Sequence, residues 1–214
     1  MRYSIFEIFA GWCAVLGGIF AFLYALAALV VEPASPMLGT ALAAAFLFLL
    51  GLLSSALFTG LFDRLRRGRG LGFSLWGYVL GFAASLQMMI HATGTIGVLI
   101  TASGGTVPTV TPLDPALALA YGLFAAAVIV LSIVMLVGQR LPPTVAYLGF
   151  VAAAFAVVVF FTGLLAAQPA SLLIMAPFII TNFLILPIWY LWTGVSLWNP
   201  PNLSPRYTAR QAEA

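Results

Sequence analysis

Lysine is missing from this chain altogether, and histidine and cysteine occur once each, as His91 and Cys13. A lone cysteine cannot form an internal disulfide, and its place in an apolar run marks a buried, inert thiol. A lone histidine rules out bis-histidine haem ligation and any histidine-clustered metal centre within the chain. Charge is equally scarce. Only 6% of the 214 residues are charged, against 64% hydrophobic, whereas an ordinary soluble domain is about a quarter charged. A soluble fold of this size cannot hide so much apolar surface, so the chain uses lipid as its solvent. The formal net charge of +3 provides no basic face for nucleic acid, and that partner is excluded.

What is present is a succession of long apolar segments. Interrupted by polar residues, proline or arginine, they run over 5–31, 37–62, 71–101, 115–138, 143–166 and 171–197. Each exceeds the ~20 residues that cross a hydrocarbon core as a helix. Backbone groups in lipid must pair internally, and runs without alternating polar residues reject a barrel. The expectation is an all-α, polytopic bundle of six transmembrane helices forming one domain over 1–200, with a polar tail over 201–214. Ser35-Pro36 and Asp114-Pro115 each offer an N-cap side chain before a proline at the first helical position. Pro142-Pro143 opens the fifth helix after a turn short enough to make helices four and five antiparallel neighbours. The first segment is too long for a signal-peptide core and is read as a retained helix.

The eight basic residues, all arginine, give the chain a sidedness. Arg64, Arg66, Arg67 and Arg69 lie between helices two and three; Arg140 lies between four and five; Arg2, Arg206 and Arg210 are terminal. All fall on one side, which the excess of positive charge assigns to the cytoplasm, with both termini inside. The Arg64–Arg69 stretch is therefore a topology anchor touching anionic lipid headgroups. Glu7, at the cytoplasmic start of helix one, can reach the interface or one of those arginines. Trp12, Trp76, Trp189, Trp192 and Trp198 map to the same side as interfacial residues, and Tyr24 and Tyr121 take that role in the other leaflet.

Ionisable and polar groups inside a span are functional candidates. Gln87, His91 and Thr95 recur every four residues on one face of helix three, and helix six carries Thr181 and Asn182 at a depth close to that of Gln87. If the two helices touch, Gln87, His91, Thr95 and Asn182 form one polar cluster, able to hold a ligand, proton or pigment, or simply to hydrogen-bond across helices. No Asp, Glu, Lys or Arg joins it to move charge, so a structural use weighs more. No cofactor and no metal are expected, although a single axial bond from His91 to a haem or pigment, alone or paired with Met135 or Met175, remains open to this composition. Met88 and Met89 are packing residues. Ser103-Gly104-Gly105 has no paired base, and no phosphate-binding glycine fingerprint occurs. No catalytic residue is assigned. An inverted three-plus-three repeat fits the topology but has no internal similarity behind it.

Small residues are plentiful: Gly77 with Gly81, Gly51 with Ser55, and Ala10, Ala14 and Gly18 on one face of helix one. They allow close backbone approach, within the bundle or against another membrane subunit. Pro187-Ile188-Trp189 followed by Gly194, with Leu141-Pro142 before helix five, resembles the end of a bacterial family of small six-helix membrane proteins known as a domain of unknown function. In size and helix count the resemblance covers nearly the whole chain. It implies no activity and no catalytic residues; heavy Ala, Gly, Leu and Arg use agrees with a bacterial chain. The functional expectation is a non-catalytic integral protein of the bacterial inner membrane, an accessory or structural subunit packed against lipid and other membrane proteins, with small-ligand binding or transport through the polar cluster as the alternative.

Overall fold

A computed structural model describes residues 5–66, 71–101, 114–165 and 172–199. Among these residues there is no strand, and six helices are long and apolar enough to cross a membrane. They are α1 (Ile5–Ala34), α2 (Pro36–Leu65), α3 (Leu71–Thr101), α4 (Pro115–Gly138) and α5 (Pro143–Leu165), then α6, built of the consecutive stretches Leu172–Ile180, Thr181–Ile185 and Leu186–Trp198. The chain is a polytopic membrane protein. Arg2, Arg67, Arg69, Arg206, Arg210, the Ser103-Gly104-Gly105 turn and the polar tail lie outside the described residues.

The boundaries follow the local chemistry in most places. Asp114 caps α4 by accepting the Ala116 N–H at 2.7 Å, with Pro115 at the first helical position where its missing N–H costs nothing. At the other end of α4, Gln139 takes a left-handed conformation (φ 49°) and its N–H closes on the Met135 carbonyl, the usual way to end a helix. Ser35 departs from expectation. Its side chain makes no cap bond, because it alone separates α1 from α2 and its backbone does the work: its N–H donates to Val31 O and its carbonyl accepts from Gly39 N, both at 2.8 Å. In this hairpin a Cβ on Gly39 would collide with the Glu32 backbone. The turn therefore requires glycine there.

Helix one runs three residues past the expected end at 31, straight through Pro33. The reason repeats in α6. In each helix one turn widens to π geometry, over Ala27–Val31 and Thr181–Ile185. The N–H that makes the five-residue bond belongs to Glu32 in one and Leu186 in the other, and each stands immediately before a proline. A proline ring cannot sit against the carbonyl four residues back and brings no N–H of its own. Opening the preceding turn by one residue accommodates it without breaking the helix.

Each helix packs on its neighbours in sequence, and α6 closes the ring by packing on α1 and α5. Small residues set the approach. Gly194 of α6 faces the bare backbone of Gly11 so closely that a Cβ on it would stand 2.7 Å from the Gly11 carbonyl oxygen. Gly77 and Gly81 of α3 receive Leu131 of α4 and Phe58 of α2, and Gly51 of α2 receives Ser85 and Met89 of α3. These small-residue pairs thus serve internal packing. The middle of the ring is filled by rings: Phe124 of α4 lies 6.0 Å from Phe58, 6.2 Å from Tyr190 in a near-parallel stack, and 5.5 Å edge-on from Trp189. Trp189 is not the interfacial residue expected from its place in sequence. It is buried, whereas Trp12, Trp76 and Trp192 are exposed as membrane-interface tryptophans should be.

One charged residue turns inward. The Arg64 guanidinium donates to Glu7 Oε2 at 2.9 Å, to the Leu197 carbonyl at 3.4 Å and to the Asn199 carbonyl at 2.7 Å. It thereby joins the end of α2 to the start of α1 and caps the last carbonyls of α6, where the helix dipole favours a cation. Arg64 is 4% exposed, so of the expected headgroup anchors this one is a structural brace. Arg66 is exposed and paired with Asp63 at 2.7 Å. Since Trp198 also packs at a tilt against Trp12, with ring centroids 4.6 Å apart, both described chain ends lie at this arginine end of the bundle.

The Gly39 contact gives a direct check. Gly39→Ala forces the α1–α2 hairpin apart, and overpacking of this kind costs about 1–3 kcal/mol. Thermal unfolding in detergent should show a clear loss for Gly39→Ala and almost none for Gly72→Ala, which meets nothing within 4 Å.

Candidate functional site

The polar groups picked out in α3 and α6 do not come together. In the ring, α3 sits between α2 and α4, whereas α6 sits between α5 and α1, so their polar faces turn to different parts of α4. Gln87 Nε2 donates to the Ala116 carbonyl at 3.0 Å. Thr95 returns its hydroxyl to the His91 carbonyl at 3.0 Å. His91 is half-buried and lies within electrostatic reach of Asp114, the residue that caps α4. Asn182 instead accepts from the Tyr121 hydroxyl at 2.8 Å and donates to the Phe178 carbonyl at 2.9 Å. Each amide is thus engaged across or along helices, the structural use of polar side chains in lipid.

The π turn of α6 explains why Thr181 and Asn182 stand where they do. Thr181 donates to Pro177 O at 2.6 Å and Asn182 to Phe178 O. Side chains of this kind supply extra donors to a turn whose backbone pattern has been shifted. The sequence reads Tyr121 and Tyr24 as interfacial residues of the far leaflet. Both are buried, and both rings pack against Phe178, at 6.3 and 5.9 Å. Their position near helix ends gives the interfacial reading; the direction they face, inward, gives the burial. Nothing in the residue spacing announces which.

Sequence reasoning also missed the remaining interior polar groups. Glu32 is buried in the continuation of α1 beyond its π turn. Ser54 shares a 2.6 Å hydrogen bond with the Tyr190 hydroxyl, joining α2 to α6 at the centre of the bundle. Ser132, Trp189 and Thr193 are fully buried with side-chain polar atoms that have no partner. Among the described residues, no group of three or more His, Cys, Asp or Glu is placed to hold a metal ion. No protein-family model, curated protein or solved structure matches the chain.

These bonds separate a structural polar group from a replaceable one. Tyr121→Phe strands the buried Asn182 oxygen and should lower stability by about 1 kcal/mol, the scale of an interhelical bond in lipid. His91→Ala, at a half-buried position, should cost less than Tyr121→Phe. Parallel detergent melts compare the two; a larger loss at His91 would contradict the assignment.

Proposed function

We propose that the chain is a multi-pass protein of the bacterial cytoplasmic membrane, with both termini in the cytoplasm, acting as a non-catalytic accessory or structural subunit packed against other membrane proteins and lipid. The observation that carries this reading is the filled interior: Phe58, Phe124, Trp189 and Tyr190 meet across the bundle axis, where a carrier would need a wet path. The buried arginine is likewise spent on Glu7 and on helix-end carbonyls. Sidedness is supported by Arg64, Arg66 and Arg140, which sit at the end of the bundle shared by both described chain ends, since the basic side is the retained one. Membership of the bacterial six-helix family suggested by Pro187-Ile188-Trp189 and Gly194 is part of the same proposal.

The outward face of α3 suits a partner in the membrane. Thr93, Gly97 and Thr101 recur every fourth residue and are exposed, and space is open beside Gly94 and Gly97. The two hydroxyls are returned to carbonyls of α3 itself, leaving a smooth, uncharged surface. Its occupant is a transmembrane helix of another membrane protein, because only a helix backbone gains from close approach at small residues.

Extraction in mild detergent followed by native mass spectrometry tests the proposal. The expected result is an assembly containing a second protein beside the 22.7 kDa chain, lost in Gly97→Leu while the chain itself stays folded. A wild-type chain that emerges alone would overturn the subunit reading, and a Gly97→Leu chain that keeps its partner would overturn the α3 face.

A further inference from the structure

Most described hydroxyls on these helices satisfy themselves. Ser54, Ser74, Ser85, Thr59, Thr95 and Thr162 all donate to a carbonyl three or four residues earlier, the default for Ser and Thr in a membrane helix. Thr40, at the far end of α2, does not, and neither do Ser132 and Thr193. The latter two are wholly buried, their hydroxyl oxygens have no partner, and the same holds for the indole nitrogen of Trp189, which has no carbonyl of its own turn to use. Leaving a buried polar group unpaired is costly, and native interiors rarely tolerate it.

Three of the five orphaned atoms among the described residues sit on α4 and α6, whereas Thr40 Oγ1 and Arg64 Nε lie at opposite ends of α2. Trp189 and Thr193 lie one turn apart on the same face of α6. Trp189 Nε1 and Ser132 Oγ converge on one bare stretch of α5: a Cβ on Gly149 would collide with the Ser132 hydroxyl and stand 3.2 Å from the indole nitrogen. The absence of a side chain at Gly149 is what lets both polar atoms reach that spot. At about 1.5 Å per residue the three residues lie roughly 8–14 Å inside the arginine end, on α4 and α6 beside α5.

The chemistry of the three groups defines the guest. An indole N–H only donates, so the guest must accept; two hydroxyls can each donate or accept. A species bound by three such groups in a close-packed interior is a single oxygen atom carrying hydrogens, and about three hydrogen bonds is what a buried water makes. We propose that Ser132, Trp189 and Thr193, beside Gly149, form an internal site that holds one bound water and through it joins α4 to α6.

The test is nuclear magnetic resonance of the full chain, ¹⁵N-labelled at tryptophan, in detergent micelles. The Trp189 indole resonance is assigned by its loss in Trp189→Phe. The expected result is direct cross-relaxation between the Trp189 indole proton and water despite complete burial, abolished in the near-isosteric double variant Ser132→Ala/Thr193→Val. The other indole signals and the melting transition report that this variant is folded. If the double variant fails to fold, the single variant Ser132→Ala should weaken the same cross-peak. An indole proton silent towards water in the wild-type chain overturns the site, as does a cross-peak unchanged in a folded double variant. A larger molecule retained at the site in native mass spectrometry overturns the assignment to water.

Discussion

The fold depends on one charge that has been taken out of water. A guanidinium cannot be left facing hydrocarbon, and in a bundle so poor in charge the few available partners decide where it goes. Arg64 solves this by meeting Glu7 and the last carbonyls of α6 at once. The helices it joins come from the start, the first third and the end of the chain. Closing the ring between α1 and α6 brings together segments far apart in sequence, and the ion pair sits at that closure. Burial of such a pair brings little net stability, because desolvation offsets most of the attraction, but leaving either partner alone is strongly unfavourable. The pair therefore selects one arrangement of helices more than it strengthens the bundle.

Around that closure, packing is controlled by what is small and by what cannot bond. Gly11 and Gly194 let α1 and α6 approach to backbone contact, which in lipid is the main source of attraction between apolar helices. Pro33 and Pro187 each open one preceding turn, and both widened turns lie towards the far end of the bundle. The α6 turn carries Asn182 into contact with Tyr121, so a backbone irregularity dictated by proline places an interhelical hydrogen bond. Aromatic rings then fill the space that the ring of helices encloses.

Much of this was legible in the residues. Apolar run length located all six helices to within a few residues, since lipid thickness leaves little choice of span, and Asp114-Pro115 announced the start of α4. The place of Glu7 lets it reach an arginine of the Arg64–Arg69 stretch, but nothing in the residues says that Arg64 leaves the surface to meet it. Which helix face points inward is set by ring order, and a chain hydrophobic all round carries little periodic signal for that. For the same reason Trp189, Tyr24 and Tyr121 read as interfacial although they are buried, and Gln87 and Asn182 read as neighbours although α3 and α6 stand apart in the ring. Ser132 and Thr193 gave no sign at all, because a hydroxyl in a helix normally bonds to its own turn.

The most direct measurement is a double-mutant cycle on thermal stability in detergent, using Glu7→Gln, Arg64→Met and the two combined. A closure that rests on this pair predicts that Arg64→Met costs more than Glu7→Gln, since Arg64 also caps the last carbonyls of α6, and that the double variant is less damaged than the sum of the singles by about 1–3 kcal/mol. Losses that simply add, within about 0.5 kcal/mol, would mean that the two residues act independently and that something else closes the ring.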